Sequence, residues 1–476
     1  MKYKAFLLVF LLLLTCCAPK TETAPGENPL NESEIETGIK SEENSESISI
    51  SMRPASTFNP LLNEDAYVDR VLGLMFLPLL KINGDFGIEP CIADSYEYSE
   101  DGKTITLTLK SLDWHNGNPV AASDIKYSID TLINKAPGNA VYKKCIENIS
   151  GCKIIDGQTV SVSFNEAGRN NIYSLAFPVI SKSYYETAPE TDPPVGNGPF
   201  RFKSYTPPKE LYIERNGEKK KGYVNEIKVI VSPDEETDLY LFNQGSIDCV
   251  ASQKGAFIKY NDQEAESFRY VSNIYEFIGL NFNRYMFKDI NVRKAVAMSF
   301  DKTEIIKNIY LGDAYPVNSP VFPAGELYDS SLKGYEYNPE KAGELLRLSG
   351  WEDKDGNGTR EKNVNEYTEK LIVSILVNKE NEERMQVAKR LAEGLNMIGF
   401  HAEVTALAFE DYAKRISEKS FDIFIGGFEF SYDNGLSGIL SSNGGMNFVS
   451  YSNEGMDRLL SDTDSIYADA QKTAFY

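Results

Sequence analysis

From Ile48 onward two hydrophobic periodicities share the chain, and their mixture is what most constrains the fold. Lys103 to Lys110 follows an Asp101-Gly102 turn and alternates Ile105, Leu107 and Leu109 with threonines, the period-two pattern of a half-buried strand. Thr159 to Phe164 and Glu226 to Val231 read the same way. Farther along, helix signals dominate. Asn338-Pro339-Glu340 supplies a cap, a proline at the first helical position and an early acid ahead of Ala342, Leu345 and Leu346, with a stop before Gly350. Asp301 with Glu304 makes a capping-box pair for a helix running through Ile305, Ile306 and Ile309 to Gly312. Glu383 to Ile398 is a third helix, closed by Gly399 and followed by a strand from Ala402 to Leu407, and helix-then-strand recurs from Phe409 to Ile425. There is no strict strand–helix alternation and no internal repeat, so the body reads as mixed α/β with an α/β lobe toward its C-terminal side.

The chain of 476 residues is 42% hydrophobic and 12% aromatic, enough to bury cores in two or three domains. Forty-nine basic residues face 70 acidic ones, and the net charge of -21 repels phosphate backbones and anionic headgroups, so no nucleic-acid partner is expected. His115 and His401 are the two histidines, which excludes an H-E-x-x-H zinc site and leaves little for a histidine-dependent triad. G-x-S-x-G, G-x-x-x-x-G-K-[ST] and G-x-G-x-x-G are all absent. Neither an enzyme nor a resident cofactor is expected.

Lys2 and Lys4 precede an unbroken apolar run from Ala5 to Leu14, too short for a stable bilayer span and matching a secretion signal. It ends Leu14-Thr15-Cys16-Cys17-Ala18, which resembles a bacterial lipobox. The resemblance makes residues 1–16 a signal peptide and Cys17 the lipid-bearing residue. Cys16, standing where glycine or alanine is usual, is the alternative. Residues 17–47 are polar and acidic, with too few large apolar side chains to repay ordering, and read as a flexible tether on the outer face of the cell membrane. Cys91, Cys145, Cys152 and Cys249 fit no zinc spacing. Cys145 with Cys152 would close a small loop, buried free thiols fit equally, and no disulfide is assigned.

The order of short motifs then resembles the family 5 solute-binding proteins of ABC importers, the oligopeptide, dipeptide and nickel group. It is carried by Phe58-Asn59-Pro60-Leu61, Pro90 to Tyr96, Ser99 to Thr104, Trp114-His115-Asn116-Gly117-Asn118-Pro119, Val195 to Phe200, Glu214-Arg215-Asn216, Gly245 to Asp248, Phe287 to Ala295, Tyr337 to Ala342 and Ser349-Gly350-Trp351. The resemblance implies a two-lobed, periplasmic-binding-protein-like fold (type II, cluster C) with an inserted extra domain. The implied segments are lobe I over 48–86 and 195–276, the inserted domain II over 87–194, and lobe III over 277–476 with the final return to lobe I missing. It further implies hinge closure on a ligand, presentation to a permease, and a monomer.

Most motif residues read as scaffold. Trp114 and His115 sit on a turn, Gly196, Gly198 and Pro199 suit a tight turn where the chain re-enters the first lobe, and Arg293 and Asp301 fix helices. For the ligand, the resemblance to peptide binders points to Asp433 as partner of a peptide's α-ammonium group. Phe430 would line the pocket, with Gly427, Phe428 and Glu429 offering main-chain groups to an extended peptide; Tyr142 is a further candidate from the inserted domain. The competing reading makes Asp433 a cap for the Asn434-Gly435 turn. Where some peptide binders carry a glutamate before glycine, this chain reads Phe76-Leu77-Pro78-Leu79. Free short peptides are the expected cargo, with a nickel chelate, a sugar or a sensor role as alternatives. Asp353-Lys354-Asp355-Gly356-Asn357-Gly358 begins like a calcium loop, but its twelfth position is Val364, and it is read as a turn with no metal.

Overall fold

The computed structural model describes residues 47–465, apart from 140, 190–191, 221, 252–264, 324, 326–327 and 431–435. The secretion signal, Cys17 and most of the tether therefore lie outside the described residues, as do Asp433 and residues 466–476.

Three four-stranded sheets organise the chain. The first joins strand Ser47–Met52, parallel, to Glu226–Val231, which pairs antiparallel with Glu210–Arg215 and through it with Phe200–Thr206. The second is wholly antiparallel and orders Ala93–Tyr98, Thr104–Leu109, Thr159–Phe164 and Ile149–Ile154. Its alternating pattern buries Ile105, Leu107, Val160 and Val162 on one face, beneath the helix Ala122–Lys135. These two sheets share one apolar core, running from Ile48 to Val229.

The third sheet orders Ile274–Leu280, Ile423–Glu429, Ile372–Asn378 and His401–Leu407. The last three strands are parallel and the first is antiparallel to its neighbour. Helix Glu382–Met397 packs on one face, where Val387, Ala388, Leu391 and Leu395 meet Val373, Ile375, Val377, Ile423 and Ile425. Helix Phe409–Ser417 packs on the other, where Tyr412 and Ile416 meet Leu376 and Phe424. Alternate side chains of one strand thus enter two separate cores. None of these residues belongs to the core of the first two sheets, so the molecule is two-lobed, as the family resemblance implied.

Several local readings hold at residue level. Asn338 caps the helix Pro339–Leu348 by accepting the Lys341 N–H at 2.9 Å, and Asp301 caps Lys302–Asn308 through Thr303 and Glu304. Arg293 donates to the Phe287 and Lys288 carbonyls. The Trp114 indole donates to Asp124 Oδ2 at 3.1 Å, and the same carboxylate accepts from the Ala121 and Lys182 main chain. Burial pushes the free thiols of Cys145 and Cys249 up to about 12 and that of Cys152 to about 11, which keeps them protonated and unreactive.

The residues around Gly196 work differently from a simple turn. Neither Gly196 nor Gly198 has a left-handed φ; the Met75 carbonyl accepts from both Asn197 and Gly198, and a Cβ on Gly198 would lie 2.6 Å from the Leu74 carbonyl oxygen. Close approach of two backbones, rather than backbone freedom, demands glycine here. His115 completes the junction, its Nε2–H donating to the Gly198 carbonyl at 3.0 Å.

Two outcomes follow from this junction. Gly198→Ala should lower stability by about 1–3 kcal/mol in urea unfolding, because the obstructing atoms are main chain and cannot swing aside. Burial holds the His115 imidazole below its usual range, with the Gly198 carbonyl opposing and Arg201 assisting. The native state therefore binds fewer protons than the unfolded chain just below about pH 6.5, and stability falls as pH drops through that value toward the native pKa. Thermal melts from pH 7.5 to 5 should show a smaller loss for His115→Gln than for the parent; parallel curves would remove His115 from the pH response.

Candidate functional site

The third sheet is wound in both directions from strand Ile372–Asn378. The chain passes through helix 382–397 to strand 401–407 on one side, then back through helix 409–417 to strand 423–429 on the other. The crevice outside the carboxyl ends of two such strands is the general ligand position of open α/β sheets. Here the strands part early. Strands 372–378 and 401–407 stay in register over seven pairs, and so do 274–280 and 423–429. Strands 372–378 and 423–429 pair only at Ile375↔Ile423 and Leu376↔Phe424, and then diverge. Among the described residues, 425–429 thus have a strand on one side only.

Polar groups converge at this opening. Asn378 is buried at the end of its strand, with Oδ1 unpartnered among the described residues. Arg384, in the first turn of helix 382–397, forms a bidentate pair with Glu276 through Nε–Oε2 at 2.8 Å and Nη2–Oε1 at 2.6 Å. The Glu276 hydrogen bonds hold the Arg384 guanidinium above its usual range against the opposing effect of burial. Gly427 lies directly over the pair: a Cβ there would meet Glu276 Oε1 and would sit 2.8 Å from Arg384 Nη2.

The other face of the strand carries aromatics. Tyr275 and Phe428 are cross-strand partners with rings 5.1 Å apart; Phe430 lies 5.3 Å from Tyr275 and 5.6 Å from Phe428. Phe430 is held in place by its N–H donating to the Asn273 carbonyl. Phe322 packs edge-on to Phe430 at 6.3 Å and stacks on Phe86 at 3.9 Å with 10° between planes. Phe86 projects from the hairpin Leu80–Ile82/Ile88–Pro90 of the first lobe, with a φ of 64° that bulky side chains rarely adopt. Phe86, Phe322 and Phe430, with Tyr275 and Phe428 against them, form a small apolar cluster distinct from the larger cores. It is the seam between the lobes.

Of the residues singled out in the sequence, Gly427, Phe428, Glu429 and Phe430 come together here, with Gly427 and Glu429 exposed. Asp433 lies outside the described residues. Tyr142 is elsewhere, buried in the first lobe's core with its hydroxyl donating to Asp69 Oδ1 at 2.6 Å. Tyr275, Glu276, Arg384, Phe322, Phe86 and Asn378 carried no sequence signal that marked them. An open depression of about 400 Å³ between Arg284, Ser374, His401 and Asp422 lies at the amino ends of the strands, away from the crevice, and the Arg284–Asp422 ion pair already occupies part of its wall.

Two lobes with separate cores, meeting at a seam on the carboxyl edge of a doubly wound sheet, define a bilobed binding protein of the periplasmic type. The chain belongs to the bacterial extracellular solute-binding proteins, family 5, whose model matches residues 87–448. It is 22% identical over 500 residues to the oligopeptide-binding protein AppA of Bacillus subtilis, spanning 98% of this chain and 89% of AppA. It is 24% identical to heme-binding protein A of Haemophilus influenzae, over 94% of this chain and 86% of that protein. Among solved structures, the periplasmic murein tripeptide-binding protein MppA in its unliganded open form aligns with a TM-score of 0.78 at 17% identity, covering 90% of this chain and 88% of MppA.

The packing at Gly427 is directly testable. Gly427→Val should separate Arg384 from Glu276 and weaken ligand binding at least tenfold, whereas Gly427→Ala should give a smaller loss. Equal affinity in all three proteins, measured calorimetrically with whatever ligand the wild type binds, would remove this position from the site.

Proposed function

We propose that this protein captures short peptides with a free amino terminus in the interlobe crevice and presents them, chemically unchanged, to an ABC importer. The observation that carries the reading is the divergence of strands 372–378 and 423–429 after Leu376 and Phe424. It leaves residues 425–429 able to accept an extended main chain as an added strand, the recognition mode suited to peptides of varied sequence. Gly427, Phe428 and Glu429 would offer that backbone edge, and the Phe428–Phe430 aromatics an apolar wall for a side chain. Asp433, four residues beyond Glu429, would pair with the ligand's ammonium group, a charge-assisted contact of roughly 1.5–3 kcal/mol. The oligopeptide-binding relative spanning nearly the whole chain supports the same cargo class. A lipid on Cys17 would keep the protein on the outer face of the membrane as a monomeric receptor.

Native mass spectrometry of protein purified from rich medium should show adducts with peptide masses, and titration calorimetry should give one-to-one binding of short peptides that N-acetylation abolishes. Asp433→Ala should weaken binding tenfold or more, since 1.4 kcal/mol is one decade. A heme or metal-chelate adduct in place of peptide would refute the cargo, and peptides recovered cleaved would refute the passive role. Detergent-phase partitioning of the full chain should be lost in Cys17→Ser; loss only in Cys16→Ser would move the lipid to Cys16.

A further inference from the structure

We propose that residues 353–361 form a calcium site, separate from the interlobe crevice and structural in role. Asp353, Asp355 and Asn357 stand at the first, third and fifth positions of a loop between helix 339–348 and the hairpin Glu361–Val364/Tyr367–Lys370. The acid missing from the twelfth position is present at the ninth. Carboxylate oxygens of Asp353, Asp355 and Glu361 lie within 4.8 Å of one another.

Glu361 separates this arrangement from an ordinary acidic turn. Its residue is 6% exposed, and its backbone is fixed by reciprocal hydrogen bonds with Glu352 at 2.9 and 3.1 Å. One carboxylate oxygen, Oε1, accepts the Lys354 N–H at 3.1 Å. The other, Oε2, is buried and has no hydrogen-bond partner among the described residues, and the Glu361 carboxylate converges with two further carboxylates. A buried carboxylate oxygen without a donor is costly, and adjacent like charges raise that cost. Among the described residues the cation paired with this group is the Lys370 ammonium, 3.6 Å from Asp355 Oδ2 on the exposed side, where water screens it. A divalent cation among the three carboxylates would neutralise the buried Glu361 carboxylate and cancel the repulsion together.

The donors select the ion. Three carboxylates, with no histidine or thiol in the cluster, are hard oxygen ligands that suit calcium or magnesium and disfavour softer metals. An irregular loop that brings three carboxylates to one ion suits the variable six- to eight-fold oxygen shell of calcium, whereas magnesium keeps its octahedral waters. The main-chain N–H groups of Gly356, Asn357 and Gly358 bind Asp353, so this carboxylate is already oriented. The hairpin leads directly into strand 372–378 at its amino end, opposite the crevice, and the buried Trp351 lies on the loop's other flank. Calcium here would brace the second lobe without touching the ligand.

The test uses full-length protein stripped with EDTA and dialysed into metal-free buffer. Calorimetric titration with CaCl2 should give one site with Kd on the order of 10⁻⁴–10⁻³ M, the range of extracellular calcium modules. In thermal melts, 10 mM CaCl2 should raise Tm by roughly 2 °C or more. Both responses should fall at least tenfold or vanish in Glu361→Gln and in the doubly substituted Asp353→Asn/Asp355→Asn protein. The double variant alters only exposed side chains and keeps the test valid if Glu361→Gln does not fold, while Asp411→Asn on a remote helix should respond like the parent. Absence of heat and of any Tm change with CaCl2, or undiminished binding in the double variant, would overturn the site. Equal affinity for MgCl2 would overturn its assignment to calcium.

Discussion

Apolar burial in this chain divides into separate cores, and the rest of the architecture depends on that division. A single core stops growing beyond roughly 250–300 residues, so a polypeptide of this length must partition its hydrophobic residues. One share, from Ile48 to Val229, lies between the first two sheets; the other lies around the third sheet, on both its faces. Where two cores meet without merging, a seam results. The seam here is lined by rings of both lobes, and its floor is the carboxyl edge of a sheet.

The sheet's winding decides what that edge offers. Because helices 382–397 and 409–417 cover opposite faces, the chain leaves strand 372–378 in opposite directions and returns beside it only briefly. Opposite faces of strand 423–429 then acquire opposite characters. Gly427 faces the Glu276–Arg384 pair, while Phe428 faces Tyr275. A single extended segment thus presents a charged neighbour, an aromatic neighbour and, among the described residues, an unpaired backbone edge within a few residues.

Much of the fold was legible in the sequence because it is encoded locally. Strands Thr159–Phe164 and Glu226–Val231 match their sequence limits, and Asn338 and Asp301 cap the helices their spacing announced. The family was legible too, from the order of its motifs along the chain. The crevice was only half legible. Gly427, Phe428, Glu429 and Phe430 form one contiguous segment, but Arg384 and Glu276 are 108 residues apart and become partners only when the sheet forms. Phe86 and Phe322 belong to different lobes and meet only across the seam. The reason for Gly196 and Gly198 was hidden similarly: a turn is visible in sequence, whereas the Met75 carbonyl pressed against it is not. In the loop at Asp353 a fixed loop length obscured the converging acid, because Glu361 arrives three positions early, at the start of a strand.

The stack of Phe86 on Phe322 also sets the terms on which the two halves can part. Its two rings bury each other at a separation of 3.9 Å, and one of them stands on a backbone conformation that L-residues resist. Parting the lobes would wet both aromatic faces, while the Phe86 backbone would stay held by its own turn, where its N–H donates to the Asn83 carbonyl at 3.1 Å. The stack therefore opposes separation of the two halves, and anything inserted between the rings would have to replace the contact they now make.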